Sequence, residues 1–308
     1  MALRASRRSV LVTGAAGFVG GHLATRLVAA GHAVHGVVRP GGRNRTPAGV
    51  EPHAVDLTDA AAVGDLARDL RPEWVFHLAG RVTGDRRLDH AASLVLDNLA
   101  QTVHVVTALA REGCQRLVVA GSMEEPGAGE PATATPSSPY AAAKWAGSGV
   151  ARLGHALYDV PVVIARLSMV YGPGQEDTTK LVPFVITSLL RGESPALSSG
   201  ARAVDWIHVD DVARGLEAAA ASPGLDGRTV ELGSGRLVTI REVVERIYGL
   251  MGVAGAPRWG ALPDRPLERP VAADVEGSLR LTGWAPRMTL EDGLADTIAW
   301  YRRTPAYR

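Results

Sequence analysis

The amino-acid sequence predicts an α/β fold, in which a smaller C-terminal domain is interleaved with a doubly wound parallel sheet. Short β-branched runs alternate with longer helical patterns through residues 10–166, as is typical of parallel strands joined by right-handed crossovers. A glycine-rich turn separates the first strand pattern from the first helix pattern. After residue 166 the alternation stops. Prolines and glycines separate the shorter elements there: Pro173, Gly174, Pro183, Pro195 and the stretch 257–270.

Periodicity places the elements of the first half. The predicted strands are 10–13, 33–38, 50–55, 74–78, 117–120 and 162–165. The predicted helices are 20–30, which Gly31 closes, 60–70, 94–112 and 140–158. A further strand pattern at 229–232 is expected to return to the main sheet, so the two domains would be interleaved.

Composition limits the function classes. The chain has 308 residues, 46% of them hydrophobic, which allows a sizeable core. Its 33 basic and 32 acidic side chains give a formal net charge of +1. This charge balance gives no general electrostatic attraction to nucleic acid or to an anionic membrane. No run approaches the ~20 apolar residues of a transmembrane helix.

The chain has one cysteine, Cys114, which excludes an intramolecular disulfide and fits a reducing compartment. We therefore expect a cytoplasmic protein. Because Cys114 just precedes a hydrophobic strand pattern, a packed thiol is a better interpretation than a nucleophile.

The glycine-rich turn predicts a dinucleotide site. Gly14, Gly17 and Gly20, with Phe18 and Val19 between them, follow a strand and open a helix. Glycines there let backbone amides approach a pyrophosphate, whose charge the helix N-terminus favours. The spacing is one residue wider than the usual dinucleotide fingerprint, and a merely structural tight turn is the alternative.

The end of the second strand selects the cofactor. A cation there suits the 2′-phosphate of NADP, and a carboxylate suits the ribose of NAD. Arg39 occupies this position and Arg43 follows in the same loop, so we expect NADP(H) to be preferred, with NAD(H) possible. The alternative is an exposed loop arginine. Asp56 ends the third strand, where it could accept from the adenine amino group or cap the next helix.

Tyr140 and Lys144 form the candidate acid/base pair. They lie one turn apart on the same face of a predicted helix. A lysine ammonium beside a phenol is expected to lower the tyrosine pKa toward the working pH. Ser122 lies at the carboxyl end of an earlier strand, where ligands of open α/β sheets bind, and its hydroxyl could polarise the same substrate oxygen.

These motifs together resemble the extended short-chain dehydrogenase/reductase family, specifically its nucleotide-sugar epimerases, dehydratases and reductases. The resemblance covers nearly the whole chain. It includes the glycine loop, Ser122, the Tyr140/Lys144 pair and the segments 77–80, 166–175, 205–212 and 281–286.

The resemblance implies a seven-stranded Rossmann sheet, a nucleotide-sugar substrate and a homodimer that pairs two helices per subunit. The Rossmann domain would be 1–166, with 203–236 returning to it, and the nucleotide-sugar-binding domain 167–308. Tyr140 would be the acid/base, Lys144 would also hold the nicotinamide ribose, and Ser122 would bind the reacting oxygen. Further cofactor contacts would come from Asp56, Leu57, Leu78, Ala79, Gly80 and Asn98, and substrate contacts from Met123, Ser168, Arg202, Arg265 and Glu268.

This chain departs from the family pattern in places. The family often has asparagine where Ser168 stands and arginine where Val204 stands, and Arg202 is a candidate replacement. Glu124 is placed like the base of the family's dehydratases, whereas the acid position holds Met123, which has no proton to donate.

We therefore expect reduction of a 4-keto-6-deoxy sugar nucleotide. The alternatives are a nucleotide-sugar 4-epimerase, a 4,6-dehydratase, a reductase of a non-sugar carbonyl, and a non-catalytic binding protein with the same fold.

Overall fold

The computed structural model describes residues 7–42, 45–84, 86–127 and 134–307. Across these ranges a seven-stranded parallel sheet, called the main sheet below, has the order β3-β2-β1-β4-β5-β6-β9. Its strands are β1 (Ser9–Thr13), β2 (Ala33–Val38), β3 (Val50–Ala54), β4 (Trp74–His77), β5 (Arg116–Ser122), β6 (Val162–Leu167) and β9 (Thr229–Leu232). The predicted α/β fold with a doubly wound parallel sheet is confirmed.

The remaining described strands form a small second sheet. They are β7 (Met169–Tyr171), β8 (Ala203–His208) and β10 (Leu237–Thr239). β8 lies in the middle, parallel to β7 and antiparallel to β10.

The helices of the first half are α1 (Phe18–Ala29), α2 (Ala60–Leu70), α3 (Ala91–Val95), α4 (Gln101–Glu112) and α5 (Pro139–Tyr158). Those of the second half are α6 (Leu181–Leu190), α7 (Val209–Ala221), α8 (Ile240–Met251), α9 (Val275–Thr282) and α10 (Leu290–Arg303). Short 3-10 turns cover Leu88–His90 and Pro305–Tyr307. No helix in the described ranges has both the length and the apolarity needed to cross a bilayer.

Hydrophobic packing covers both faces of the main sheet. On one face, Leu23 and Leu27 of α1 and Leu216 of α7 are fully buried against the strands. The other face is covered by α2, α4 and α5, with Val105 of α4 among the buried residues. A third core lies outside the main sheet, where α6, α8 and α10 pack around Trp206. Strands buried on both faces explain the near-continuous apolar runs of the sequence.

Short polar residues begin several helices. Asp59 caps α2 by accepting from Ala61 N at 2.9 Å and Ala62 N at 3.1 Å. Ser138 caps α5 by accepting from Ala141 N at 3.1 Å. Such caps satisfy amides that have no partner inside the helix.

The long helix expected at 94–112 is interrupted. It consists of α3, a π-helical turn at Leu96–Ala100, and α4. Asn98 lies in this turn, and its side-chain amide donates to Leu94 O at 3.0 Å. That carbonyl would accept the Asn98 backbone amide in a regular α-helix, so the side chain competes with the helical ladder.

Pro183 does not separate elements, contrary to the expectation from sequence. It lies in the first turn of α6, where the missing N–H has no helical partner to lose. The expectation for Cys114 agrees with the structure. The residue packs against the core beneath α2 and α4, and burial raises the pKa of its thiol to about 12.

Candidate active site

A cleft of about 2750 Å³ opens at the carboxyl ends of the main-sheet strands, between this sheet and the C-terminal elements. Its walls include the glycine loop, Ser122, Tyr140 and the segment around Glu268. A site for one small molecule typically measures ~300–1,000 Å³. The cleft therefore has room for two ligands side by side.

The glycine loop leaves the N-terminus of α1 open toward the cleft. A Cβ on Gly20 would lie 2.1 Å from Gly14 O, so a larger residue would push the loop and helix apart. Gly17 caps the helix without any side-chain hydrogen bond among the described residues, and its first turn carries no acidic side chain. Phe18 and Val19 line the cleft at this point. Open amides at a helix N-terminus suit an anion.

Arg39 and Asp56 lie together at the rim of the cleft beyond this loop, and both are exposed. Asp56 accepts from Thr58 N at 2.9 Å and from Thr58 Oγ1 at 2.7 Å, and these bonds, with a smaller effect of Arg39, lower its pKa. Asp56 does not cap the following helix, because Asp59 does so. Leu57 is buried beside it. Arg43 lies outside the described residues.

The end of β4 forms the next part of the wall. Thr13 Oγ1 accepts from Leu78 N at 3.1 Å and Ala79 N at 3.0 Å, which fixes the chain as it leaves the strand. A Cβ on Gly80 would lie 2.5 Å from Asn98 Oδ1. Asn98 is buried and also donates to Arg81 O at 3.2 Å. It lies behind the wall and positions it.

The structure brings Ser122, Tyr140 and Lys144 together at the floor of the cleft, with all three side chains buried. The hydroxyl of Tyr140 lies near that of Ser122. Lys144 Nζ donates to Ala120 O at 2.9 Å, which ties α5 to β5. This is the arrangement needed for proton transfer to one substrate oxygen.

The expected lowering of the Tyr140 pKa is wrong for this structure. Burial raises the pKa, the charges of Glu124 and Glu125 raise it further, and the nearby Ser122 hydroxyl offsets them only in part. Burial also lowers the pKa of Lys144, to about 8. Tyr140 is therefore a neutral phenol near neutral pH and carries a proton that it could transfer to a substrate oxygen.

The turn after β5 carries two carboxylates, one facing the cleft and one buried. Glu124 faces the cleft, where its Oε2 accepts from Ser137 Oγ at 3.2 Å and Ser138 Oγ at 3.4 Å. Glu125 is buried, and its Oε1 accepts from Ser122 N at 2.7 Å. Met123, which precedes them, is buried and has no ionisable group. Only Glu124 of this turn offers the cleft a titratable side chain.

Arg166 holds this turn in place, a role the sequence analysis missed. Its Nε donates to Ser122 O at 3.2 Å and its Nη2 to Glu125 O at 2.6 Å. Its Nη1 pairs with Glu231 of β9 at 2.8 Å. A signal was present in the sequence: one arginine within an otherwise apolar buried strand, where an unpaired charge is not tolerated.

The predicted substrate residues meet on the opposite wall. Glu268 pairs with Arg202, with Arg265 at 3.7 Å and with Arg86 at 3.0 Å. We call these four residues the Glu268 cluster. Arg86 was not expected from the sequence, because only the fold brings the loop after β4 to this wall. Nε of Arg202 is buried without a hydrogen-bond partner among the described residues.

Ser168 also lines the cleft, just after β6. Its Oγ is buried and has no hydrogen-bond partner in the described part of the chain. Such an orphaned hydroxyl in a cleft wall is available to a ligand.

The sequence of this chain matches a family of known enzymes. Residues 10–233 match the model of a family described as the NAD dependent epimerase/dehydratase family. The chain is 33% identical to a dTDP-glucose 4,6-dehydratase of Streptomyces griseus, over 96% of this chain and 94% of that enzyme. It is 30% identical to a UDP-glucose 4-epimerase of Mycolicibacterium smegmatis, over 95% of this chain and 98% of that one.

A solved structure shows the same architecture. The UDP-glucose 4-epimerase of Thermus thermophilus was solved in complex with NAD. It superposes on this chain with a TM-score of 0.84, and the two sequences are 28% identical. The match covers 96% of this chain and 99% of that one.

Proposed function

Because this chain belongs to the NAD dependent epimerase/dehydratase family of extended short-chain dehydrogenase/reductase enzymes, we propose that it reduces a 4-keto-6-deoxy sugar nucleotide at the expense of NADPH. The chain is an enzyme of the nucleotide-sugar class. The observation that carries the finer assignment is Arg39 at the rim of the cleft, combined with an active-site turn that lacks a second acid.

The residues around the glycine loop fit a dinucleotide. Gly20 leaves no space for a Cβ, and the uncapped amides of α1 face the cleft, where a pyrophosphate would be held. Asp56, Leu57, Leu78, Ala79, Gly80 and Lys144 would hold the rest of the molecule. When bound, a nicotinamide cofactor supplies a carbon that exchanges hydride with the sugar.

Tyr140 and Ser122 serve the oxygen of the same sugar carbon. Ser122 donates a hydrogen bond to the carbonyl oxygen, and Tyr140 transfers its hydroxyl proton to it as the carbonyl becomes an alcohol. A raised tyrosine pKa keeps this proton available at neutral pH.

Elimination of water is disfavoured. A 4,6-dehydratase needs a base for the C5 proton and an acid for the departing hydroxyl. Glu124 is available as a base, but Met123 stands where the acid is needed, and Glu125 is buried in a hydrogen bond to Ser122 N.

A 4-epimerase is the second candidate. It needs no second acid, and the Thermus thermophilus enzyme with the same architecture is a 4-epimerase bound to NAD. A reductase releases its cofactor after every turnover, whereas an epimerase keeps it. Arg39, exposed at the rim where a 2′-phosphate would lie, favours NADPH and so the reductase.

The substrate's diphosphate is expected to bind at the Glu268 cluster and Ser168. Three guanidinium groups surround one carboxylate, so the cluster keeps an excess of positive charge. Arg202 Nε and Ser168 Oγ are unused donors. Val204 cannot supply the arginine that the family often has there, and Arg202 lies two residues before it. Arginine is well matched to phosphate oxygens.

The reaction is tested with dTDP- and UDP-linked 4-keto-6-deoxy sugars and NADPH. Oxidation of one NADPH per sugar reduced, followed by absorbance and by chromatography of the product, supports the proposal. Interconversion of UDP-glucose and UDP-galactose without net cofactor consumption would make the protein an epimerase instead. Formation of a 4-keto-6-deoxy product from dTDP-glucose would make it a dehydratase.

Cofactor choice gives a prediction of its own. Arg39→Asp should weaken NADPH binding and favour NADH, because a carboxylate repels the 2′-phosphate and accepts from a ribose hydroxyl. Loss of one charge-assisted contact is worth ~1.5–3 kcal/mol, which corresponds to a ~10–100-fold change in the ratio of dissociation constants. Titration of both cofactors by protein fluorescence measures this ratio.

The matched control is Arg71→Asp, the same charge change at an exposed residue just after α2, which should leave the ratio unchanged. If the wild type binds NADH as well as NADPH, Arg39 is not the selector.

We also propose a homodimer. Val95 and Leu96 near α3, and Leu153, Leu157 and Tyr158 on α5, are all exposed. The two elements are neighbours, and we propose that these side chains form one apolar surface, which in a free monomer would be unusual. Because a two-fold interface is self-complementary, the same surface of a second copy would cover it.

Leu157→Glu should therefore convert the dimer to a monomer in light scattering after gel filtration, because a buried unpaired charge is costly. Leu279→Glu, at an exposed leucine of α9, is the matched control and should remain dimeric. A monomeric wild type would contradict the proposal.

A further inference from the structure

We propose that His35, Glu51 and His53 form a binding site for Zn²⁺ on the outer part of the main sheet. These residues do not line the cleft, and the proposal does not depend on the reaction that the enzyme catalyses. Within the described residues, one ligand atom from each of the three lies within 4.8 Å of the other two.

Strand pairing brings the three side chains together. β2 and β3 run parallel, with His35 directly opposite Glu51 and Val37 opposite His53. Glu51 and His53 are two residues apart, so both project from the same face of β3 as His35 does from β2. The site therefore lies on ordered strands, which hold ligands more precisely than loops.

The distances match a metal coordination shell. His35 Nδ1 lies 3.1 Å from His53 Nε2 and 3.3 Å from Glu51 Oε2. His53 Nε2 lies 4.0 Å from Glu51 Oε1. Zinc binds histidine nitrogen and carboxylate oxygen at ~2.0–2.2 Å, so neighbouring ligands of a tetrahedral site are ~3.3–3.6 Å apart. Small side-chain rotations would bring all three atoms to that spacing.

Burial and charge also favour zinc. The two imidazoles are mostly buried, while Glu51 is largely exposed at the sheet edge. Three protein ligands with one open side leave a coordination position for water. Two imidazoles and a carboxylate are a common zinc donor set, and the carboxylate offsets part of the ion's charge. Bound there, the ion would fasten the edge strand β3 to β2.

The competing explanation is a hydrogen bond between the two imidazoles, with Glu51 beside them and no metal. Both explanations account for the short nitrogen–nitrogen distance. They differ in what happens when Zn²⁺ is added, because only a metal site gains stability from the ion.

The test uses the tag-free full-length protein, stripped of metal with a chelator. Zn²⁺ should bind with one-to-one stoichiometry in calorimetry and elemental analysis, and should raise the thermal unfolding temperature. Co²⁺ in its place should give the visible absorption bands of a four-coordinate ion. His53→Gln and Glu51→Gln should each weaken Zn²⁺ binding at least as much as the ~10–100-fold loss caused by changing an outer-shell partner.

His155→Gln is the matched control. This half-buried histidine lies on α5 and bonds Val160 O instead, so its variant should bind Zn²⁺ like the wild type. Circular dichroism checks that each metal-free variant is folded. Equal Zn²⁺ affinity in the wild type and the His53→Gln variant, or no binding by the folded wild type, would overturn the proposal and leave the hydrogen bond.

Discussion

Tyr140→Phe should reduce turnover by at least ~10²-fold, the effect typical of a general acid. The substitution removes only the hydroxyl, so the ring still fills its buried place on the floor of the cleft. Ser122 would remain to polarise the carbonyl, but its hydroxyl would have to supply the proton without a neighbouring acid. The cofactor dissociation constant should change little, since the predicted pyrophosphate contacts lie on the glycine loop.

The measurement separates kcat from cofactor binding, with single-turnover kinetics for the first and fluorescence titration for the second. Tyr307→Phe is a matched control, because it makes the same chemical change in the C-terminal turn, away from the cleft. A Tyr140→Phe variant that keeps its turnover would exclude the role proposed for this tyrosine. Loss of cofactor binding and turnover together would indicate a damaged fold instead.

Asp205→Ala should destabilise the protein more than other single changes in the cleft wall. The buried carboxylate accepts from Ser234 N and Ser234 Oγ, both at 2.7 Å, from Gly235 N at 3.0 Å and from Ala273 N at 2.9 Å. Each buried donor left without a partner costs ~1–3 kcal/mol. We therefore expect a loss of at least ~3 kcal/mol in the free energy of unfolding.

Denaturant titration measures this loss, and a fall of at least ~4 °C in Tm should accompany it. Asp264→Ala is the control. That carboxylate accepts from Ser199 N at 3.1 Å and Ser199 Oγ at 2.9 Å on the surface, where water can replace it, so the change should stay within ~0.5 kcal/mol. Equal effects of the two substitutions would show that the buried hydrogen bonds of Asp205 contribute little.

Local patterns were enough to predict the main sheet and the floor of the cleft. Most strands of the main sheet are buried, so they appear in the sequence as apolar runs. Ser122 ends one of these runs, which places it at the carboxyl edge of the sheet. Tyr140 and Lys144 share a helix, so their spacing in sequence is already their spacing in space. Sequence spacing does not predict proximity for residues that only the tertiary fold brings together. Arg86 and Glu268 are distant in the chain, and no periodicity connects them.

Two errors have a common origin in tertiary structure. The Tyr140 pKa depends on burial and on Glu124 and Glu125, which lie in a turn that Arg166 from another strand holds through its backbone carbonyls. The π-helical turn depends on the side chain of Asn98, whose second bond, to Arg81 O, comes from the loop after β4. The periodicity of a helical sequence indicates which face is apolar. It does not indicate where a side chain hydrogen-bonds to a backbone carbonyl of the helix, as Asn98 does with Leu94 O.

The position of β9 has a consequence for synthesis on the ribosome. β9 pairs with β6 at the edge of the main sheet, although the whole of β7, α6, β8 and α7 is translated between the two strands. At ~5–20 residues per second, the edge of β6 stays open for several seconds after this strand emerges. Arg166 has no Glu231 to pair with during that interval. Open strand edges invite pairing with other chains, so this nascent edge is where a chaperone would be needed most.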